Sequence, residues 1–389
     1  TIATGLPQIS ARADYQNFIE LPTSLIPAQF FGGNEGDFAE VQFGTPQTMS
    51  AGITLNQLIF DGSYIVGIEA TKVFLNASKN ILEKTVIEIR KNIINSYFSV
   101  LLIRANLTFL EKNRDNLTIN LDELTQLFRN GFEEEESVEQ LRLTLSSIET
   151  QLRYAQNMER TTLNMLKLIL GFPTVSPLFL SDNLEVLTTP DLFQLTDVDF
   201  KIENNIDVKI AENNLLSENL LYRYERSKNL PRISAFLNGN YTGNSESFTF
   251  TNVDQKWFGA SLFGVQLKVP VFSSLKRRAS SQKAKISVSQ ARFLLKETKE
   301  RIFIETQAAS NEYKLAVENY FTAKENLALA NRIKEKNQTK YFEGLASSFE
   351  FREAQLQLFG AQNNYIQSIQ SVIQKKLNLE TLLNTSQQK

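Results

Sequence analysis

The chain contains itself twice. LPQIS at Leu6–Ser10 returns as LPRIS at Leu230–Ser234. GITLNQLIF at Gly52–Phe60 returns as GVQLKVPVF at Gly264–Phe272, and LFRNG ending at Gly131 returns as KYFEG ending at Gly344. The last two pairs share an offset of about 212 residues, the mark of a tandem duplication. What the first copy builds, the second must largely build again, so few architectures remain open.

Each copy carries a long heptad tract. Ser96, Val100, Ile103, Leu107, Leu110, Arg114, Leu117, Leu121, Leu124 and Phe128 alternate steps of four and three. The second copy does the same with Ala309, Tyr313, Ala316, Tyr320, Ala323, Leu327, Ala330, Lys334, Asn337 and Tyr341. This is coiled-coil spacing. Alanine fills four successive a positions, where a two-stranded coil prefers Val or Ile. Such small residues let backbones approach closely, as in side-by-side packing within a larger helical wall. No proline interrupts 64–130 or 275–343, so each tract is expected to be one helix on the order of 100 Å long. Gly131 and Gly344 then read as hairpin turns, because glycine takes the left-handed conformation of a helix C-cap at little cost. Return helices are expected over 137–170 and 347–383. Gly171-Phe172-Pro173 stops the first of them, and a further helix, about Asp197–Asn229, precedes LPRIS.

Four other segments alternate with period two. Ile9–Ile19 sets Ile9, Ala11, Ala13, Tyr15 and Ile19 against Ser10, Arg12, Asp14 and Gln16. Met49–Ile59, Arg232–Gly243 and Lys256–Phe272 alternate likewise. Each reaches the roughly 9–11 residues that a tilted strand needs to cross a bilayer. Apolar-out, polar-in alternation belongs to barrels in lipid, and also to ordinary half-buried strands of a soluble sheet. Four strands cannot close a lipid barrel, and lipid tolerates no open edge. Either the strands are soluble or several chains share one barrel. The intervening 20–46 and 244–254 read as loops rich in Gly, Asn and Ser.

Composition removes other classes. A length of 389 residues suggests two or three domains. The net charge of −2 offers no basic field for nucleic acid. With no Cys and no His, disulfides, Cys/His zinc sites and His-based triads are excluded. No run of about 18 apolar residues stands out, so no transmembrane helix is expected. No phosphate loop, nucleophile–base pair or metal set marks an enzyme, and no cofactor is expected.

The order of these elements resembles the TolC-like outer-membrane efflux proteins. The likeness rests on two copies of strand, strand, long helix, glycine turn and return helix, with LP-x-[IL]-S before one strand and G-x-x-L-x-x-x-[IVL]-F closing another. It implies a mixed α and β membrane fold. Three protomers would each give four strands to a 12-stranded β-barrel, continued by a periplasmic α-helical barrel. It divides the chain into a first repeat over 1–173 (strands 8–19 and 47–60, helical hairpin 62–171) and an equatorial linker over 174–190. The second repeat covers 191–389 (helix 197–229, strands 232–243 and 256–272, helical hairpin 275–385). The family's first helix normally precedes its first strand. The resemblance therefore implies that a leader, any lipidated cysteine and that helix lie ahead of this sequence.

The same resemblance gives Glu350 and Glu353 a role. In some family members two acidic residues, six and nine positions after the second glycine, line the periplasmic constriction as stacked rings. Their spacing of three places both on one helix face. Such rings would concentrate cations and raise some carboxyl pKa values. A solvated helix face beside Arg352 explains the pair equally well. Tyr341, three before the glycine, matches a gate tyrosine of the family, but its usual aspartate partner is Ser137 here and the gate arginine is Ala346. Glu133–Glu136 is expected to favour the start of a return helix through the helix dipole or to meet a basic adaptor surface. Gly131, Phe132, Gly344 and Leu345 would form hairpin tips where an adaptor docks.

The implied function is the exit duct of a tripartite efflux or type I secretion system in the bacterial outer membrane. Its implied partners are its own trimer, outer-membrane lipid, a periplasmic adaptor and an inner-membrane pump, with no nucleic acid. The alternative is a coiled-coil scaffold without a pore, for which the heptads are the oligomer seam.

Overall fold

The computed structural model describes residues 2–182, 184 and 201–384. The chain divides into two compact units: one of 1–76 with 213–292, the other of 77–212 with 293–389.

The first unit is built on strands. β1 (Gln8–Asn17), β2 (Thr23–Pro27), β3 (Phe38–Gln42) and β4 (Gln47–Asp61) come from the first copy. β5 (Arg232–Ser245) and β6 (Trp257–Lys268) come from the second. β1, β4, β5 and β6 form one sheet in that order, and every neighbouring pair is antiparallel. The central pair therefore joins the two copies. β2 and β3 pair as a separate hairpin within the segment expected to be a loop; its Thr-Ser-Leu-Ile and Phe-Ala-Glu-Val runs are too short for periodicity to single them out.

Register stacks like on like. Ile9 faces Leu55, Leu55 faces Leu237, and Leu237 faces Phe263. On the opposite face Ser10 meets Thr54, and Thr54 meets Asn238, which donates a hydrogen bond to it at 2.7 Å. A bulge between Leu58 and Phe60 shifts the register at the end of β4. The apolar face is not covered within the unit: Ile9, Ile53, Leu237, Phe263, Val265 and Leu267 are all about half exposed or more. Among the described residues, nothing pairs with the outer edges of β1 and β6. Strands expected over 8–19 and 256–272 are shorter than that. β1 ends at Asn17, after which Phe18 N–H bonds to Pro46. β6 ends at Lys268, two residues before Pro270, which has no N–H for a ladder. The adjoining Ser274 and Leu275 take left-handed backbone angles, φ 47° and 65°.

The second unit is helical. α1 (Gly62–Arg129) and α2 (Glu135–Ile169) form the first hairpin. α3 (Ile206–Ser227) follows, and α4 (Lys276–Phe342) and α5 (Ser348–Leu383) form the second hairpin. The initial parts of α1 and α4 and most of α3 belong to the first unit. α3 starts later than the expected 197 because the Asn205 side chain accepts from the N–H of Asp207 at 2.9 Å, an N-cap that fixes the start. Residues 197–200, residue 385 and most of the expected 174–190 linker past Asp182 lie outside the described residues.

Two apolar clusters fill this unit. Leu101, Leu102, Tyr313, Tyr320, Ile369 and Val372 lead one; Leu107, Leu117, Leu124, Val138, Leu141 and Leu152 lead the other. The heptad frame of α4 holds, with Ala309, Tyr313, Ala316, Tyr320 and Ala330 buried. The frame of α1 does not hold to its end. Arg114 and Leu121 are only partly buried, and Asn113 and Asn120 take the seam positions, 5% and 3% exposed. A residue-by-residue apolar count passes over asparagine, so the seam slips by one where the core turns polar. α1 also contains an 18-residue stretch apolar enough, by composition, to cross a membrane, contrary to expectation. That resemblance is one of length and composition only; Val100, Leu107 and Leu110 of the same helix are buried in the bundle.

Candidate functional site

The tips of the two helical hairpins bring the expected site residues together. Both turns use the same backbone device. Gly131 and Gly344 sit at φ 77° and 72°. Phe132 N–H bonds to Leu127 at 2.9 Å and Leu345 N–H to Lys340 at 2.7 Å, closing each helix with a six-residue loop. The residue after each glycine is thrust outward: Phe132 is 79% and Leu345 73% exposed.

The next helices begin differently. Ser347 accepts from Glu350 N–H at 3.2 Å, and Glu350 accepts from Ser347 N–H at 2.8 Å. This reciprocal pair is a capping box. The backbone N–H and hydroxyl of Ser347 hold the Glu350 carboxyl below its usual range. Within one protomer Glu350 is therefore a capping residue, and crowding of like charge does not set its state. Glu353 is exposed one turn on. Arg352 between them lies 5.4 Å over the Phe349 ring. In the first turn Glu134 holds the N-cap position without a side-chain hydrogen bond, and Glu135 and Glu136 occupy the first helical turn, where the positive end of the dipole favours acids.

Glu133 has another task. Tyr341 Oη donates to Glu133 Oε2 at 3.2 Å, and its ring stacks on Phe351 at 5.4 Å. Burial and the Glu133 charge push the Tyr341 hydroxyl upward in pKa, so it remains a donor. Ser137, at the position of the family's aspartate, instead meets Ser348 at 3.0 Å. Two hydrogen bonds thus tie one hairpin tip to the other. The sequence hinted at the acceptor only through the acidic run just after Gly131.

The strand unit carries a second feature the sequence reading missed. Tyr15, Phe248, Phe250 and Trp257 form an aromatic cluster with centroid spacings of 5.6–6.2 Å, edge-to-face except for the tilted Phe250–Trp257 pair. Tyr15 and Trp257 belong to the apolar face of the sheet, where the chain turns at the strand ends. Aromatic girdles of this kind mark barrel–membrane boundaries. Among the described residues, no group of three or more His, Cys, Asp or Glu is placed to hold a metal.

Known structures share this fold. A structure of CusC aligns over 98% of this chain and 84% of its own, with 19% identity and a TM-score of 0.75. VceC from Vibrio cholerae aligns over 98% and 87%, with 14% identity and a TM-score of 0.75. The Campylobacter jejuni CmeC outer membrane channel aligns over 98% and 78%, with 18% identity and a TM-score of 0.72. The fold is the one that these solved structures share. The family model described as outer membrane efflux protein matches residues 201–385. No curated protein matches the sequence significantly. Over residues 201–385 the chain is thus similar to outer membrane efflux proteins, and over nearly its whole length it shares the fold of these solved structures.

Proposed function

We propose that this chain is the outer-membrane exit duct of a tripartite efflux or type I secretion system, conducting substrate passively from a periplasmic adaptor and inner-membrane pump to the exterior. One observation carries the reading: a four-stranded sheet with two free edges, apolar and exposed on one face, polar on the other. Lipid would cover the apolar face, and lipid forbids the free edges. With an even number of strands, all antiparallel, β1 and β6 run in opposite directions. β6 of one copy therefore pairs antiparallel with β1 of the next. Three copies close twelve strands, a size that lipid barrels adopt.

At the hairpin tips, Tyr341, Glu350 and Glu353 form the periplasmic constriction, and Gly131, Phe132, Gly344 and Leu345 meet the adaptor. Exposed Phe132 and Leu345 support docking, since exposed apolar tips suit a protein partner. The exposed carboxylates of Glu350 and Glu353 support a cation-concentrating ring. The duct carries no catalytic activity and needs no cofactor.

Imaging of detergent-extracted single particles tests the assembly. A threefold hollow cylinder is expected, and a solid rod or a dimer soluble without detergent would sink the reading. Bilayer recording tests the gate. E350Q/E353Q should lower selectivity for cations over anions, and unchanged selectivity would return both residues to an ordinary solvated face.

A further inference from the structure

Two layers of amide side chains interrupt the apolar core near the tips. Asn113 and Gln362 form the first. Asn113 Nδ2 donates to Gln362 Oε1 at 2.7 Å, and Gln362 Nε2 donates back at 3.5 Å. Asn120 on α1 and Gln355 on α5 lie one heptad closer to the tips. They are more deeply buried, at 3% and 2% exposure, yet this layer does not close. Asn120 Nδ2 and Gln355 Oε1 are both buried without a partner. One is a donor and the other an acceptor. Unmade hydrogen bonds are costly at such depth.

Both residues line one small cavity, together with Ser137, Tyr341 and Ser348. It offers about 20 Å³ of room for a water centre, and one ordered water needs roughly 10–15 Å³ and two to four polar partners. The polar chain leading to it runs in one direction. Lys334 Nζ donates to Gln338 Oε1 at 2.6 Å, and Gln338 Nε2 donates to Asn120 Oδ1 at 3.4 Å. Asn120 can then only donate onward from Nδ2.

We propose that this cavity holds one ordered water, which accepts from Asn120 Nδ2 and donates to Gln355 Oε1. The water completes a donor chain from the Lys334 ammonium on α4, through Asn120 on α1, to α5. Aligned donors polarise one another, and a cation at the head strengthens the series. The same cavity wall carries the groups that tie the tips, so the water joins the tip latch to the bundle above it. A hydrated amide layer exchanges partners more readily than an apolar one, which lets α4 and α5 shift against α1 here while the layers above stay packed. The inference holds whether or not the chain is an export duct.

A cryo-EM map of the detergent-extracted protein, at a resolution of about 2 Å where buried waters are visible, is the direct test. Density is expected within hydrogen-bonding distance of both Asn120 Nδ2 and Gln355 Oε1. A direct amide–amide contact, or an unfilled cavity in a map that shows other buried waters, overturns the proposal. Thermal melting gives a second test. N120L and Q355L should each lower Tm by about 2–4 °C, because each strands the other amide. The double variant should recover most of that loss, since replacing both partners removes the orphan. Additive losses would overturn the bridge.

Discussion

The two hairpin tips are copies of one turn, and they are finished differently. Both close on a left-handed glycine with the same pair of backbone bonds, and both push an apolar residue outward. The second tip then locks its outgoing helix with the Ser347–Glu350 capping box. The first relies on acids in the field of the helix end, and lends Glu133 to Tyr341 of the other hairpin. Duplication preserved what the backbone demands and released what side chains supply. The second tip is self-sufficient in its cap, whereas the first is bound to its neighbour.

Substitutions can separate these contributions. The largest effect should come from the feature both tips share. Gly344→Val forces a branched residue to φ 72°, which should destabilise the tip by about 2 kcal/mol; Gly131→Val should match it. Unequal losses in thermal melting would mean that the turns are not equivalent. Tyr341→Phe should come next. It removes a hydrogen bond to a charged acceptor, worth about 1–1.5 kcal/mol where partly buried, and should raise the frequency of channel opening in bilayer recordings. An unchanged record would show that the Glu133 bond does not hold the tips.

Ser347→Ala should cost about 1 kcal/mol, while Glu134→Ala, at the equivalent position of the first tip, should cost only a few tenths of a kcal/mol because no cap bond is lost. Amide exchange at 348–351 and 135–138 reads the two separately, and equal protection losses would erase the contrast drawn here. The smallest effect is on pH. Glu350 has its folded pKa below the ordinary 4.5, so its cap contributes fully above that value and is lost as pH falls through the depressed one. A spin label at position 346 should therefore become more mobile only in that acidic window. Ser347→Ala should move the onset upward toward 4.5.

Much of this fold was legible because backbone rules are local. The glycines at 131, 171 and 344 announced three helix ends, and each sits at positive φ. Period two in the expected 8–19 and 256–272 announced strands, though both end sooner, and their faces are now seen to match across the sheet. The α4 frame was legible because alanine and tyrosine repeat without a gap. The α1 frame was lost at Asn113, since burial of an amide depends on a partner, Gln362, that lies 249 residues away in sequence. The tips were legible in position but not in chemistry. Glu350 and Glu353 were read either as paired acidic rings or as a solvated helix face; that Glu350 also caps its helix through Ser347 was in neither reading. The acceptor for Tyr341 was found on the other hairpin, a contact that neither hairpin's own sequence specifies.

The order of the sheet has a consequence for how the chain comes to be folded. Its central ladder joins β4 to β5, and the Thr48–Asn244 side-chain bond within it spans 196 residues. Each copy makes its own hairpin cheaply, but the seam between them must wait until the whole first helical hairpin has been synthesised. Pairing at such a distance carries a large loop-closure cost and is slow. During that interval every strand edge in the newborn chain is a free template for the wrong partner. A chain whose second half is missing should therefore aggregate readily, and the first aggregates should be bound through β4.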